Sequence, residues 1–334
     1  MIIAGPCSVE SPEQIASVAE GLKSLGVSCL RGGVWKPRTH PGAFEGIGEP
    51  ALPWLVEAGH SRGLSVATEV ASTRHVEAAL KAGVDVLWIG ARTTGNPFLV
   101  EDICSVLRGV EDVDVWVKNP LNPDPELWIG ALERLIRAGI SRLGGIHRGF
   151  SVYHPSRYRN VPMWQVPAEI RRVIPGMPLI CDPSHICGDA SLVPEVALKA
   201  MEFGFDGLMI ETHPNPARAL SDAAQQLTVA QLAELLGKLK VRKQDSQPND
   251  KIEMLRSQID QLDDSIIDLI SERLDIASEI GEIKSVEGIA VFQPERWEQV
   301  VSRVETRAAD RGVSTGFISG LYRLIHQESI KRQM

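Results

Sequence analysis

Four side chains spread along this 334-residue chain are metal donors by type: Cys7, His185, Glu211 and Asp222, a thiol, an imidazole and two carboxylates. A mixed sulfur, nitrogen and oxygen set of this kind suits a divalent transition metal. Taken singly, each has a blander reading, Cys7 in GPCS as a small buried hydrophobe and His185 in DPSH as a structural histidine. A second set, Arg31, Lys36, Arg38, Arg92, Lys118 and Arg148, is cationic in a chain with 35 Lys and Arg against 43 Asp and Glu. Any one of these alone reads as a solvated charge or a surface ion-pair partner. Gathered in one pocket against the net charge of −8, the six would hold more than one anionic group, phosphates and a carboxylate, which Arg binds bidentately. Within KPRTHPG, Pro37 stiffens the loop and the Thr39 hydroxyl can donate to a phosphate oxygen.

Positioning these residues requires a scaffold that brings distant segments to one place. Up to about residue 240, short apolar runs (MIIAG, VSCLRGG, LSVATEV, VLWIGAR, VDVWVKN, ISRLGGIHRG, MPLICDPSH, FDGLMIETH) alternate with segments of helical spacing. About eight strand–helix units are the number that closes a parallel barrel, and no GxGxxG follows a strand to favour an open doubly wound sheet. In a (β/α)8 barrel the active site sits at the C-terminal strand ends. There the order is Cys7 after the first strand, then Arg31, Lys36 and Arg38, Glu69 within the third, then Arg92, Lys118, Arg148, His185 and Glu211, and finally Asp222.

The expected domains are a barrel over 1–240, a linker over 241–250, where the chain is polar and carries a proline, and a helical domain over 251–334. In the last, Ile252, Leu255, Ile259, Leu262, Ile266, Leu269, Ile276, Ile280 and Ile283 follow a heptad seam along one long helix of about 35 residues. Two shorter helices are expected near Pro294–Arg311 and Thr315–Gln333, too little chain to enclose that helix, so the domain is expected to dimerise. Arg273 falls on the seam, where a buried guanidinium should meet an anion, unless it snorkels outward. Lys284 lies 11 residues on, about 20° around the helix, and shares its face. Arg256, 17 residues back and about 100° away, could join them only from an antiparallel partner helix.

Composition narrows the function classes. The longest apolar runs, such as VDVLWIGA, have strand length, so no membrane span is expected. MIIAGPCS is neither basic nor long and apolar, so no secretory leader is expected and the location is expected to be cytoplasmic. Five cysteines without CxxC spacing fit a reducing compartment, and the acidic balance argues against nucleic acid as a partner.

GPCS, LRGGVWKPRT, IGAR, DPSH and GLMIETHPNPARALSD resemble the 3-deoxy-D-arabino-heptulosonate 7-phosphate (DAHP) synthases, short type I beta, over roughly residues 1–240. The resemblance implies that Cys7, His185, Glu211 and Asp222 hold one divalent ion, Mn, Fe, Co or Zn. It implies that Arg31, Gly90, Ala91, Arg92, Lys118 and Arg148 hold phosphoenolpyruvate, and Lys36, Pro37, Arg38 and Thr39 hold erythrose 4-phosphate. The sister family making the eight-carbon sugar phosphate has an Asn-containing loop in place of KPRT, which favours the four-carbon aldose. The implied chemistry is an aldol-like condensation with metal polarisation of the aldehyde and Lys36 delivering a proton to the developing alkoxide. Lys118 in WVKNP and Arg148 in IHRGF depart from the family's usual flanks.

LRSQIDQLDDSIIDLISERLDIASEIGEIK and the rest of the chain resemble the all-helical chorismate mutases. That implies a cofactor-free rearrangement of chorismate to prephenate, with Arg256 of a partner, Arg273, Lys284, Gln293, Arg296, Ser329 and Gln333 at the site and Lys284 and Gln333 at the breaking ether. Where the family commonly has Glu after the site arginine, this chain has Trp297. The expected protein is therefore a bifunctional enzyme of aromatic amino-acid biosynthesis, a homodimer or tetramer, with the helical domain binding a feedback ligand. The alternatives are a synthase whose helical domain only regulates, and a barrel aldolase using a Schiff-base lysine.

Overall fold

The computed structural model describes residues 1–37, 42–153, 155–239 and 250–334, the side chains of 250 and 251 excepted. Arg38 and Thr39 of the expected aldose loop, and 241–249 of the expected linker, lie outside the described residues. The chain divides into two compact units, Met1–Gln244 and Asp245–Met334.

In the first unit the strands are β1 (Ile2–Gly5), β2 (Cys29–Arg31), β3 (Ser65–Val70), β4 (Val86–Ile89), β5 (Asp114–Lys118), β6 (Leu143–His147), β7 (Leu179–Cys181) and β8 (Gly207–Glu211). Between them run α1 (Pro12–Lys23), α2 (Leu52–His60), α3 (Thr73–Ala82), α4 (Ala91–Thr94), α5 (Pro97–Leu107), α6 (Pro125–Arg137), α7 (Gln165–Val173), α8 (Pro183–Cys187) and α9 (Val193–Phe203), with α10 (Val229–Lys238) closing the unit. Each strand pairs in parallel with the next and β1 pairs with β8, so the sheet closes on itself. Several helices begin on a cap–proline pair: Ser11–Pro12, Asn96–Pro97, Asp124–Pro125 and Asp182–Pro183. The cap side chain accepts an orphan N–H, and proline at the first position loses no hydrogen bond there.

Alternation along the strands decides what reaches the site. Ile3, Cys29, Ala67, Val86, Trp88, Trp116, Ile146, Ile180 and Met209 fill the barrel interior, while Ala4, Leu30, Val66, Leu87, Val115, Leu179 and Leu208 pack under the helices. Side chains repeat with period two, so the residue two on from an interior one is also interior. That step reaches Arg31, Glu69, Lys118, Arg148, Asp182 and Glu211: the site is the uppermost layer of the barrel core. His147, one residue out of step, faces outward instead and packs among Trp128, Phe150, Trp164 and Phe205.

The second unit consists of α11 (Asp250–Glu287), α12 (Pro294–Ala309) and α13 (Thr315–Gln333). Its interior is small, with Leu274, Ala277, Val304 and Ala308 buried. The nine apolar residues of the seam are 43–64% exposed along α11, a row that one chain leaves uncovered. Gly281 brings α13 against α11, since a Cβ there would stand 2.7 Å from the Cα of Gln333.

Candidate functional site

Cys7 leaves β1 and Glu211 ends β8, and these strands are neighbours in register at Gly5 and Glu211. Asp222 arrives from the following loop, its backbone in the left-handed region at φ 44. Donor atoms of Cys7, Glu211 and Asp222 lie within 4.8 Å of one another, and the thiol donates to Asp222 Oδ2 at 3.3 Å. Gln225 Nε2 donates to Glu211 Oε2 at 2.7 Å, and the backbone N–H of Cys7 donates to Gln226 Oε1 at 3.0 Å. Glu211 Oε1, 3.1 Å from Arg31 Nη2, is buried and accepts no hydrogen bond. His185 stands at the edge of this cluster, its Nε2 3.8 Å from Glu211 Oε1. Its Nδ1 lies 2.8 Å from Asp182 Oδ2.

Burial, with Glu211 beside it, pushes the Cys7 thiol up to about 12. Burial opposes the charge on Glu211 too, yet His185, Arg31 and Lys36 hold its carboxyl below the ordinary value. Asp222 is held low against burial by His185, Lys36 and Arg159. One thiol, two carboxylates and an adjacent imidazole, with an orphaned carboxylate oxygen among them, fit a divalent cation of the transition series.

Beside this cluster opens a cavity of about 270 Å³, lined by Lys36, Pro37, Glu69, Ala91, Arg92, Lys118, Arg148, Arg159, His185 and Asp222 among others. Arg31 lies deeper, fully buried, 4.9 Å over the Trp88 ring, with Nε and Nη1 unpartnered. Lys118 donates to Asp182 Oδ2 at 2.7 Å, and Arg148 to Asn160 Oδ1 at 2.8 Å. Burial lowers the Arg148 guanidinium to about 10. Lys36 Nζ donates to the Cys7 carbonyl at 3.3 Å; burial disfavours its charge, but Cys7, Glu69 and Glu211 together hold the ammonium above its usual value. The Glu69 carboxylate occupies the space beside Gly90 that a Cβ would take, and Glu69 Oε2 accepts from Trp88 Nε1 at 3.1 Å. A larger groove of about 850 Å³, by Trp35, Arg74, His75 and Lys81, holds none of these groups.

Of the expected barrel residues within the described chain, all are at this one strand-end layer. Sequence reasoning noted Glu69 without a role and passed over Asp182, Arg159, Asn160 and Gln225. Asp182 caps α8, accepting from the His185 N–H at 3.0 Å, while its other oxygen takes Lys118. Arg159 donates to Gln225 Oε1 at 2.9 Å and to Asp222 Oδ1 at 3.3 Å. The strand period marks Asp182 as interior; the other three come from loops and carry no such signal.

In the second unit a cavity of about 520 Å³ is lined by Arg273, Lys284, Gln293, Arg296, Ser329 and Gln333, together with Trp297, Tyr322 and His326. Arg273 donates to Ser329 Oγ at 2.6 Å, and Lys284 to Val291 O at 2.7 Å and Gln333 Oε1 at 3.4 Å. Arg256 is not brought to this pocket within one chain; it pairs with Glu253 at 3.0 Å.

Residues 1–247 match the DAHP synthetase I family, and residues 255–334 match chorismate mutase type II. Among curated proteins, the phospho-2-dehydro-3-deoxyheptonate aldolase of Thermotoga maritima is 33% identical over 239 residues, 72% of this chain and 68% of the relative. The 2-dehydro-3-deoxyphosphooctonate aldolase of Methylobacterium radiotolerans is 27% identical over 256 residues, 71% of this chain and 87% of its own. The crystal structure of the Thermotoga DAHP synthase superposes with a TM-score of 0.65 at 32% identity, covering 71% of this chain and 67% of that one. A truncated form of the Thermotoga maritima synthase gives 0.62 at 30% identity, covering 71% and 84%.

Proposed function

Because the chain belongs to the DAHP synthetase I family and carries a type II chorismate mutase domain, a bifunctional enzyme of the shikimate pathway, we propose that its barrel condenses phosphoenolpyruvate with erythrose 4-phosphate and that its helical pocket converts chorismate to prephenate. The observation that carries the first half is the layer of buried cations, Arg31, Lys36, Lys118 and Arg148, set around a thiol–carboxylate cluster at the strand ends.

Cys7, Glu211, Asp222 and His185 would hold a divalent ion, which when bound supplies a Lewis acid for the aldehyde carbonyl. The unpartnered Nε and Nη1 of Arg31, with Lys118, Arg148, Arg92 and the Gly90–Ala91 backbone, would bind the phosphate and carboxylate of phosphoenolpyruvate. Lys36 and Pro37, with Arg38 and Thr39 beyond the described residues, would hold the aldose phosphate. Lys36, its ammonium favoured by Glu69 and Glu211, would deliver a proton to the alkoxide. In the helical pocket Arg273 and Arg296 would take carboxylates, while Lys284 and Gln333, already in contact, would face the ether oxygen. Gln293 and Ser329 complete the wall. The uncovered apolar row of α11 supports a homodimer in which the partner's α11 covers it and supplies the Arg256 guanidinium.

The test is phosphate release from phosphoenolpyruvate with erythrose 4-phosphate or arabinose 5-phosphate, each with and without chelator, alongside elemental analysis. Metal-dependent release with the four-carbon aldose supports the reading. Full activity in excess chelator removes the metal, and equal or better turnover of arabinose 5-phosphate removes the substrate assignment.

A further inference from the structure

In the helical pocket two of the cations are already engaged: Arg273 with Ser329, Lys284 with Val291 and Gln333. Of the described side chains lining this pocket, only His326 has a buried polar atom, Nε2, without a hydrogen-bond partner. Leaving such an atom unpaired is unfavourable unless something absent from the free chain completes it. Its place on α13 agrees. Tyr322, His326, Ser329 and Gln333 follow at steps of four, three and four, one continuous face of a helix, and all four line the cavity.

The ring orientation is fixed from α12 and the segment before it. Trp297 stacks on the imidazole at 4.2 Å with the planes 13° apart, and Phe292 lies tilted at 6.0 Å. Burial, together with the charges of Arg273 and Lys284, lowers the basicity of His326, which favours the neutral ring. A neutral imidazole can donate to or accept from an uncharged oxygen, so a hydroxyl can complete Nε2 in either tautomer.

We infer that His326, held by Trp297, is a specificity residue of this pocket that binds a hydroxyl group of the ligand. The inference rests on the chorismate reading above: chorismate brings one ring hydroxyl in addition to its two carboxylates. Arg273 and Arg296 answer the charges, Lys284 and Gln333 the ether oxygen, and His326 answers the hydroxyl.

Three full-length proteins decide it: the unaltered chain, His326→Phe, which keeps a flat ring against Trp297 and deletes the nitrogen, and His326→Gln, whose amide can stand in for Nε2. Each is assayed with chorismate and with an analogue lacking the ring hydroxyl, and melting is followed to confirm folding. His326→Phe should lose about 10-fold or more in kcat/KM for chorismate and less than about 2-fold for the analogue, with His326→Gln recovering most of the loss. Equal losses on both substrates, or no loss on chorismate, overturn the assignment and leave His326 a packing residue. An unaltered chain that turns over no chorismate instead defeats the mutase reading. Calorimetric binding of prephenate, which also carries a hydroxyl, to the same three proteins then decides the inference by the same order of affinities.

Discussion

Replacing His147 by Phe should remove a defined share of the barrel's sensitivity to acid. His147 is fully buried and is ringed by Trp128, Phe150, Trp164 and Phe205, with the Pro162 backbone as the one uncharged polar group acting on its ring. Burial, with Arg148 next along the chain, pushes its basicity down from 6.5 to about 3. The unfolded chain therefore takes up a proton below 6.5 that the folded chain refuses until about 3. Stability from this group is complete above 6.5 and is lost progressively as pH falls towards 3. At about 1.36 kcal/mol per unit of difference, moving from pH 7 to pH 5 costs about 2 kcal/mol through His147 alone. Phe fills similar space and binds no proton, and every other titrating group is common to both proteins. Urea unfolding of both, followed at pH 7 and pH 5, isolates the difference. With a slope of about 3 kcal/mol/M, the midpoint of the unaltered protein should fall about 0.7 M further than that of His147→Phe. Equal falls in the two would show that the ring gains its proton in the folded barrel, against the burial described here.

Asp182→Asn should cost about 3–5 kcal/mol in chemical denaturation, because Lys118, 4% exposed, would keep its charge without its 2.7 Å partner; a loss under about 1 kcal/mol would contradict this. Arg273→Leu should leave stability within about 1 kcal/mol, since one hydrogen bond to Ser329 is removed and an apolar seam is extended, while chorismate turnover falls by about 100-fold or more. Unchanged turnover would assign Arg273 to the surface. If chorismate or prephenate acts as a feedback ligand through the helical domain, synthase rate should fall with prephenate in the intact chain and stay constant in a chain ending near residue 243; equal sensitivity in both would refute it.

How far the sequence could be read depended on periodicity. Strand alternation carries Arg31, Lys118, Arg148 and Glu211 to one level, and a seam of 3–4 spacing marks α11, whose 38 residues slightly exceed the expected 35 or so. Arg273 was legible as an interruption of that seam, whereas its Ser329 partner, 56 residues away, was reached through the family resemblance and not through any period. Loop residues had no period to betray them. Arg159 and Asn160 are tied to the site by backbone N–H groups that bond the Cys187 and Ile186 carbonyls of α8. His326 had a signal that went unread: it precedes Ser329 by three and Gln333 by seven, the spacing of a single helical face.

The closure of the barrel between β1 and β8 also has a history in time. On a ribosome adding roughly 5–20 residues per second, Glu211 emerges roughly 10–40 s after Gly5, its neighbour in the finished sheet. A nascent chain arrested before β8 already carries Arg31 and Lys36 but neither Glu211 nor Asp222, so Arg31 lacks the carboxylate it later pairs with, while Lys118 already has Asp182. The Ile2–Gly5 backbone meanwhile presents a bare edge on the side that β8 will take. Premature arrest or a cut upstream of β8 would leave an adhesive strand seeking a substitute partner, not a partly working enzyme.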